Sequence, residues 1–167
     1  MNSQFKYKIV SNGLLIFNPK SKIDMNERII RLPDAKATQA LGMELGKSLT
    51  AGSVLLLAGD LGSGKTTLVQ GLAQGMEIRD SIVSPTFTII NEYIGRLPLY
   101  HLDLYRLTSA EVDELYLESY WLGLETELGI VAIEWAERLS NLPPDYIRIE
   151  LSYDPVDGRI ARISSRN

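Results

Sequence analysis

An α/β fold with a mixed parallel and antiparallel sheet and helices on both faces is what this 167-residue chain predicts, and three observations predict it. The apolar run Val54 to Ala58 (VLLLA) reads as a buried strand and runs straight into Gly59 to Thr67, GDLGSGKTT. That segment obeys the pattern G-x-x-x-x-G-K-[ST], and the stretch after Thr66 reads as a helix, so strand, loop and helix follow in the order that a phosphate-binding P-loop requires. Hairpin-like strand pairs accompany this unit, which calls for antiparallel as well as parallel pairing.

The elements follow in order. Residues 1–27 are expected to be a loosely held extension: the apolar run Leu14 to Phe17 is short and lacks a small-residue cleavage site, so a secretory signal is not expected. Residues 28–167 then make one P-loop domain, long enough to bury about two-thirds of the unfolded surface around a single core. Arg28 to Leu32 alternates enough to be a strand. Asp34 is an N-cap for a helix through Leu49, with Leu41, Leu45 and Leu49 stacked at i+4 spacing as a core stripe. The helix after the glycine loop stops near Gly75, and Ser81 to Phe87 is a Pro-containing loop before a β-branched strand, FTIINEYI. Gly95 to Pro98 turns the chain into a further strand, LYHLDLYRL, and Thr108 with Glu111 forms a capping box that starts a helix towards Trp121. Leu128 to Ile133 is a short apolar strand ending in Glu134. The C-terminus reads as a hairpin, YIRIELSYD and GRIARIS, around Asp154 to Gly158.

Composition narrows the chemistry. With no Cys there are no disulfides, thiolate metal sites or cysteine nucleophiles, which fits a reducing cytoplasm. The longest apolar runs span five or six residues, against about 20 for a bilayer span, so no membrane segment is expected. Net charge is −4 without a Lys/Arg block, so a broad electrostatic grip on nucleic acid is not expected from this chain alone.

The loop carries the chemistry. Gly59, Gly62 and Gly64 let the backbone curl so that successive N–H groups and the helix dipole meet a polyphosphate. The nucleotide-contacting stretch runs through Asp60, Leu61, Gly62, Ser63, Gly64, Lys65, Thr66 and Thr67. Lys65 is expected to reach the β- and γ-phosphates, and Thr66 to place its hydroxyl on Mg²⁺. Two acids, Asp103 after LYHL and Glu134 after GIVAI, close apolar strands; each could hold Mg²⁺ or orient the attacking water. Ser84 and Thr86 flank Pro85 on a stiffened loop where other P-loop proteins keep a nucleotide-sensing segment, while a Pro-stabilised turn is the plainer reading. His101 shares a strand face with Asp103 and is read as a hydrogen-bonded structural residue. Trp135 could stack on a base or cover the site, though aromatics at strand ends more often serve packing; Tyr116, Tyr120 and Trp121 read as core or a partner-facing patch.

Taken together, GDLGSGKTTLVQG, VSPTFTIINEY, YHLDLYRL and IEWAERL, in that order from about Leu32 to Leu151, resemble the bacterial tRNA threonylcarbamoyladenosine biosynthesis ATPase family, TsaE. The resemblance implies a mixed-sheet P-loop fold whose ATP hydrolysis supports formation of threonylcarbamoyladenosine beside the tRNA anticodon. It implies, as partners, a metalloprotein transferase and its paralogous companion, with tRNA met through that complex. By matching position it implies Thr66 and Glu134 as Mg²⁺ ligands, Lys65 as the phosphate lysine and Asp103 as the residue that orients water. Ser84 to Thr86 correspond to a switch loop, Trp135 to a tryptophan near the nucleotide, and Pro33 to Thr38 to the adenine side. Two other readings use the same loop. A small-molecule or nucleoside kinase would need an Arg-rich lid, and no such arginine cluster is visible; a GTP-dependent switch acting only through partners would need an N-K-x-D segment, which is absent.

Overall fold

The computed structural model describes residues 27–166, so nearly all of the expected N-terminal extension lies outside the described residues. The elements are β1 (Arg28–Leu32), α1 (Ala35–Ser48), β2 (Val54–Ala58), α2 (Lys65–Gly75), β3 (Ile90–Ile94), β4 (Pro98–Asp103), α3 (Ser109–Asp113), α4 (Glu118–Leu122), β5 (Ile130–Glu134), a 3-10 turn at Ala136–Arg138, β6 (Tyr146–Tyr153) and β7 (Arg159–Arg166). They form a seven-stranded mixed sheet in the order β1-β7-β6-β2-β5-β4-β3. The centre, β6-β2-β5-β4, is parallel; β3 and the β1-β7-β6 ribbon pair antiparallel at either side.

Helices cover both faces, unequally. On one face α1 and α2 lie over a cluster that includes Leu41, Leu45, Leu68, Leu72, Leu55, Leu57 and Ile149. On the other, the short α3 and α4 and the 3-10 turn close over Val54, Leu56, Leu102, Val131 and Ile133 through Val112, Leu117 and Ala136. The α1–α2 contact is made backbone to backbone. A Cβ on Gly42, Gly46, Gly71 or Gly75 would come within 2.0–2.1 Å of a carbonyl oxygen of the opposite helix, so larger residues on these surfaces would force the helices apart. As its sequence predicts, α1 is N-capped by Asp34, whose Oδ1 accepts from Ala37 N at 2.8 Å.

Four element boundaries differ from expectation. The strand predicted from Phe87 begins only at Ile90: residues 86–88 turn, Ile89 N donates to Pro85 O at 2.6 Å, and Ile89 sits at φ +70°, outside any strand. β4 ends at Asp103 instead of continuing to Leu107, because the Asp103 side chain accepts from Tyr105 N at 2.9 Å and turns the chain. β5 starts at Ile130 and not at Leu128. The capping box of Thr108 and Glu111 is present, yet the helix it opens stops at Asp113. A second helical turn begins at Glu118, after Tyr116 at φ +49°, which tucks Leu117 into the core while leaving Tyr116 exposed.

Candidate functional site

Because β2, β5 and β4 are parallel neighbours, their carboxyl ends open at one edge of the sheet, with Leu57 in register with Glu134 and Glu134 with Asp103. In open α/β sheets that edge is where ligands bind. The glycine loop leaves β2 there. Gly59 and Gly64 take φ of +135° and +107°, conformations that a side chain would strain, and Gly64 is the N-cap of α2. A helix start leaves its first N–H groups without intrahelical partners, so the loop ends in donors suited to an anion.

Lys65, the first residue of α2, is only 4% exposed, and its Nζ donates to the carbonyls of Gly59 at 2.5 Å and Asp60 at 2.9 Å. It also lies 4.1 Å from the centroid of the Trp135 ring. Burial lowers its pKa from the ordinary lysine value, against the raising pull of Glu134, Glu137, Asp103 and Asp60. A polyphosphate here would give this ammonium the counter-charge that its surroundings only partly supply.

The two acids share the edge but have different company. Thr66 Oγ1 donates to Glu134 Oε1 at 2.8 Å, and His101 Nε2 lies 2.8 Å from the same oxygen. Asp103 Oδ2 accepts from Ser84 Oγ at 2.9 Å and Thr86 Oγ1 at 2.7 Å, and those hydroxyls lie 2.7 Å from one another. Both carboxylates are 3% exposed. Trp135, at φ +58° immediately after Glu134, stacks tilted on Tyr105 with ring centroids 4.8 Å apart. Thus Lys65, Thr66, Asp103, Glu134, Ser84, Thr86 and Trp135, which the sequence singled out, meet at one place. Ser63 is fully buried with its Oγ unpartnered among the described residues, while Asp60 and Leu61 form an exposed loop tip. Thr67 is half-buried further along α2, and the buried Thr38, at the end of the Pro33 to Thr38 segment, brings its methyl 3.6 Å from the position of a Cβ on Gly64.

The predicted C-terminal hairpin forms, and it also reaches the glycine loop, a role that its sequence does not announce. Arg159 Nη2 donates to Gly62 O at 3.2 Å and Tyr153 OH to Leu61 O at 3.4 Å, so the β6–β7 end braces the outer side of the loop. Contacts spanning more than ninety residues leave no local pattern to find.

The donor set bears on a metal. Among the described residues no group of three or more His, Cys, Asp or Glu side chains could hold an ion. One hydroxyl (Thr66) and one carboxylate (Glu134) in contact are instead what Mg²⁺ uses when phosphate oxygens and water complete its shell. The residues therefore fit Mg²⁺ supplied together with a polyphosphate.

Fold and site define an α/β protein whose glycine loop and helix start face two buried strand-end acids. The family described as "Threonylcarbamoyl adenosine biosynthesis protein TsaE" matches residues 32–161, well over half the chain. A tRNA threonylcarbamoyladenosine biosynthesis protein TsaE from Nostoc sp. is 57% identical over 146 residues, covering 87% of this chain and 90% of that protein. Its counterpart from Bacillus subtilis is 40% identical over 121 residues, covering 71% and 73%. The crystal structure of Bacillus subtilis YdiB superposes with a TM-score of 0.68 at 31% identity, covering 87% of this chain and 88% of that one. This chain belongs to the TsaE family and so to tRNA threonylcarbamoyladenosine biosynthesis.

Proposed function

We propose that the chain is a P-loop ATPase that binds and hydrolyses Mg²⁺·ATP in the cytoplasm in support of a threonylcarbamoyl transferase complex. The observation that carries the reading is the 2.8 Å contact between Thr66 at the start of α2 and Glu134 at the end of β5, beside the buried Lys65. A hydroxyl and a carboxylate in contact at the mouth of a glycine loop are the pair that P-loop enzymes use around the ion on their β- and γ-phosphates.

Each residue then has a task. The loop amides and Lys65 bind the β- and γ-phosphates, and Thr66 and Glu134 hold Mg²⁺. The ion, when bound, neutralises charge developing on the phosphates. Asp103, one strand over, orients the attacking water. Ser84 and Thr86, in its grip, form the segment that changes partners when nucleotide arrives, and Trp135 covers the site beside Lys65. The partners are a metalloprotein transferase and its paralogous companion. tRNA is met through that assembly, since 17 basic against 21 acidic residues offer little phosphate neutralisation here.

Calorimetric titration of ATP and GTP analogues with Mg²⁺, with Lys65→Ala alongside, tests the core of this. ATP should be preferred, and the variant should lose about tenfold to hundredfold in affinity, as expected for one charge-assisted contact worth about 1.5–3 kcal/mol. Equal affinity in the two proteins would remove the loop as the nucleotide site. Hydrolysis should be slow alone and rise when the partner subunits are added, whereas sub-micromolar tRNA binding by the isolated chain with no partner effect would point to direct action on RNA.

A further inference from the structure

His101 is the chain's single histidine, and it stands at 0% exposure within β4. Burying an imidazole is costly unless its nitrogens find partners. Only Nε2 has one, Glu134 Oε1 at 2.8 Å; Nδ1 has none among the described residues. An apolar side chain would fill this core position without leaving a nitrogen unpaired. What the histidine adds is one N–H directed at one carboxylate oxygen.

That oxygen is the one that also accepts from Thr66 Oγ1. Glu134 is thus held by a donor from α2 and a donor from β4, while its own backbone belongs to β5. The β4–β5 ladder fixes the geometry, pairing His101 with Ala132 and Asp103 with Glu134. An ionised carboxylate only accepts hydrogen bonds, so Nε2 must carry the proton in this contact.

We propose that His101 is a positioning residue: its Nε2–H orients the Glu134 carboxylate as ligand for the nucleotide-bound ion. This rests on the assignment of Glu134 under the proposed function. His101 meets neither phosphate nor ion; it keeps a buried carboxylate in one orientation, the task outer partners perform for metal ligands generally. With that donor gone, Glu134 keeps Thr66 as its hydrogen-bonding partner and is free to turn.

Two measurements test it together. Binding of a non-hydrolysable ATP analogue is measured with and without Mg²⁺ for the wild type, His101→Phe and His101→Gln. The Phe variant, which keeps a flat ring but no donor, should lose about tenfold to hundredfold of Mg²⁺-dependent affinity with metal-free binding unchanged. The Gln variant, which restores an N–H, should recover most of the loss. A purely structural role would lower melting temperature and both affinities alike. Because there is one histidine, a ¹H–¹⁵N side-chain spectrum of the wild type needs no assignment. It should show Nε2 protonated, with a shift when Mg²⁺ is added to the nucleotide complex and none with Mg²⁺ alone. A bare Nε2 overturns the proposal even if the Phe variant fails to fold. Wild-type Mg²⁺ dependence in a folded His101→Phe overturns the positioning role alone, whereas a wild type without Mg²⁺-dependent binding overturns the nucleotide reading and this inference with it.

Discussion

Glu134 and Asp103 sit side by side at the ends of neighbouring strands, equally buried, and differ in what holds them. Glu134 is bonded to Thr66 and His101, side chains anchored on a helix and a central strand. Asp103 is bonded through Oδ2 to Ser84 and Thr86, which belong to an irregular loop whose neighbours Val83 and Phe87 are 58% and 85% exposed. One acid is fixed by secondary structure and the other by an irregular segment that is anchored at the buried Ile82 and Pro85 but exposed at Val83, Ser84 and Phe87. Segments with few buried contacts open at low free-energy cost, whereas core elements do not. The Glu134 side therefore suits a permanent ligand, and the Asp103 side suits a group released or realigned when the loop moves.

The largest effects should come from breaking the two acids separately. Asp103→Asn should slow hydrolysis by about 10²–10⁴-fold with nucleotide affinity nearly intact, because water orientation matters mainly in the transition state. Glu134→Ala should instead weaken Mg²⁺-dependent binding, and turnover with it. Single-turnover rates alongside affinities for both variants separate the roles. Wild-type turnover by Asp103→Asn would mean the two carboxylates have been assigned the wrong way round.

Much of this was legible in the sequence because its signals are local. The glycine loop, the Asp34 cap, the Thr108 and Glu111 box and the C-terminal hairpin all announce themselves within a few residues, and each is present. Local signals also misled: the β-branched run from Phe87 has strand propensity, but its first residues turn so that Ile89 O can accept from Asp103 N at 2.9 Å. The Thr108 helix breaks because Leu117 is drawn into the core, which no helical spacing forecasts. The sequence marks His101 as a hydrogen-bonded structural residue, and its hydrogen bond is to a site acid. That partner, and the brace from Arg159 and Tyr153, belong to distant strands and leave no periodic trace.

The rigid side can be loosened without touching any site residue. Gly71→Ala adds a Cβ 2.0 Å from Gln39 O, so α1 and α2 must separate. Alanine gains about 0.5–1 kcal/mol of helix propensity over glycine, but overpacking costs about 1–3 kcal/mol or more, so the clash should win. Thermal unfolding should show a drop of several degrees, with the exposed Gln74→Ala as a control near zero. Since α2 carries Lys65 and Thr66, nucleotide affinity should fall with stability. An unchanged melting temperature would show that the glycine contacts do not set the spacing of the helices.

The smallest effect in the isolated protein, and the sharpest test of the contrast, should come from Ser84→Ala with Thr86→Ala. Both hydroxyls belong to a loop, and Asp103 keeps the Tyr105 N–H on its other oxygen when they are removed. Stability and Mg²⁺·ATP affinity should therefore change little, within about 0.5–1 kcal/mol, since Asp103 lies at a sheet edge that water can reach once the loop loosens. What should change is the coupling between nucleotide and loop. If nucleotide moves this segment by offering it new partners, a loop with no hydroxyls to exchange has no differential contact with the two states, and a ligand shifts an equilibrium only by such a difference. Stimulation of hydrolysis by the partner subunits should then fall well below the wild-type ratio while basal hydrolysis stays close to normal. Parallel ATPase assays with and without partners read both quantities. A full partner response in the double variant would detach this loop from docking and leave the Ser84, Thr86 and Asp103 cluster a structural clasp.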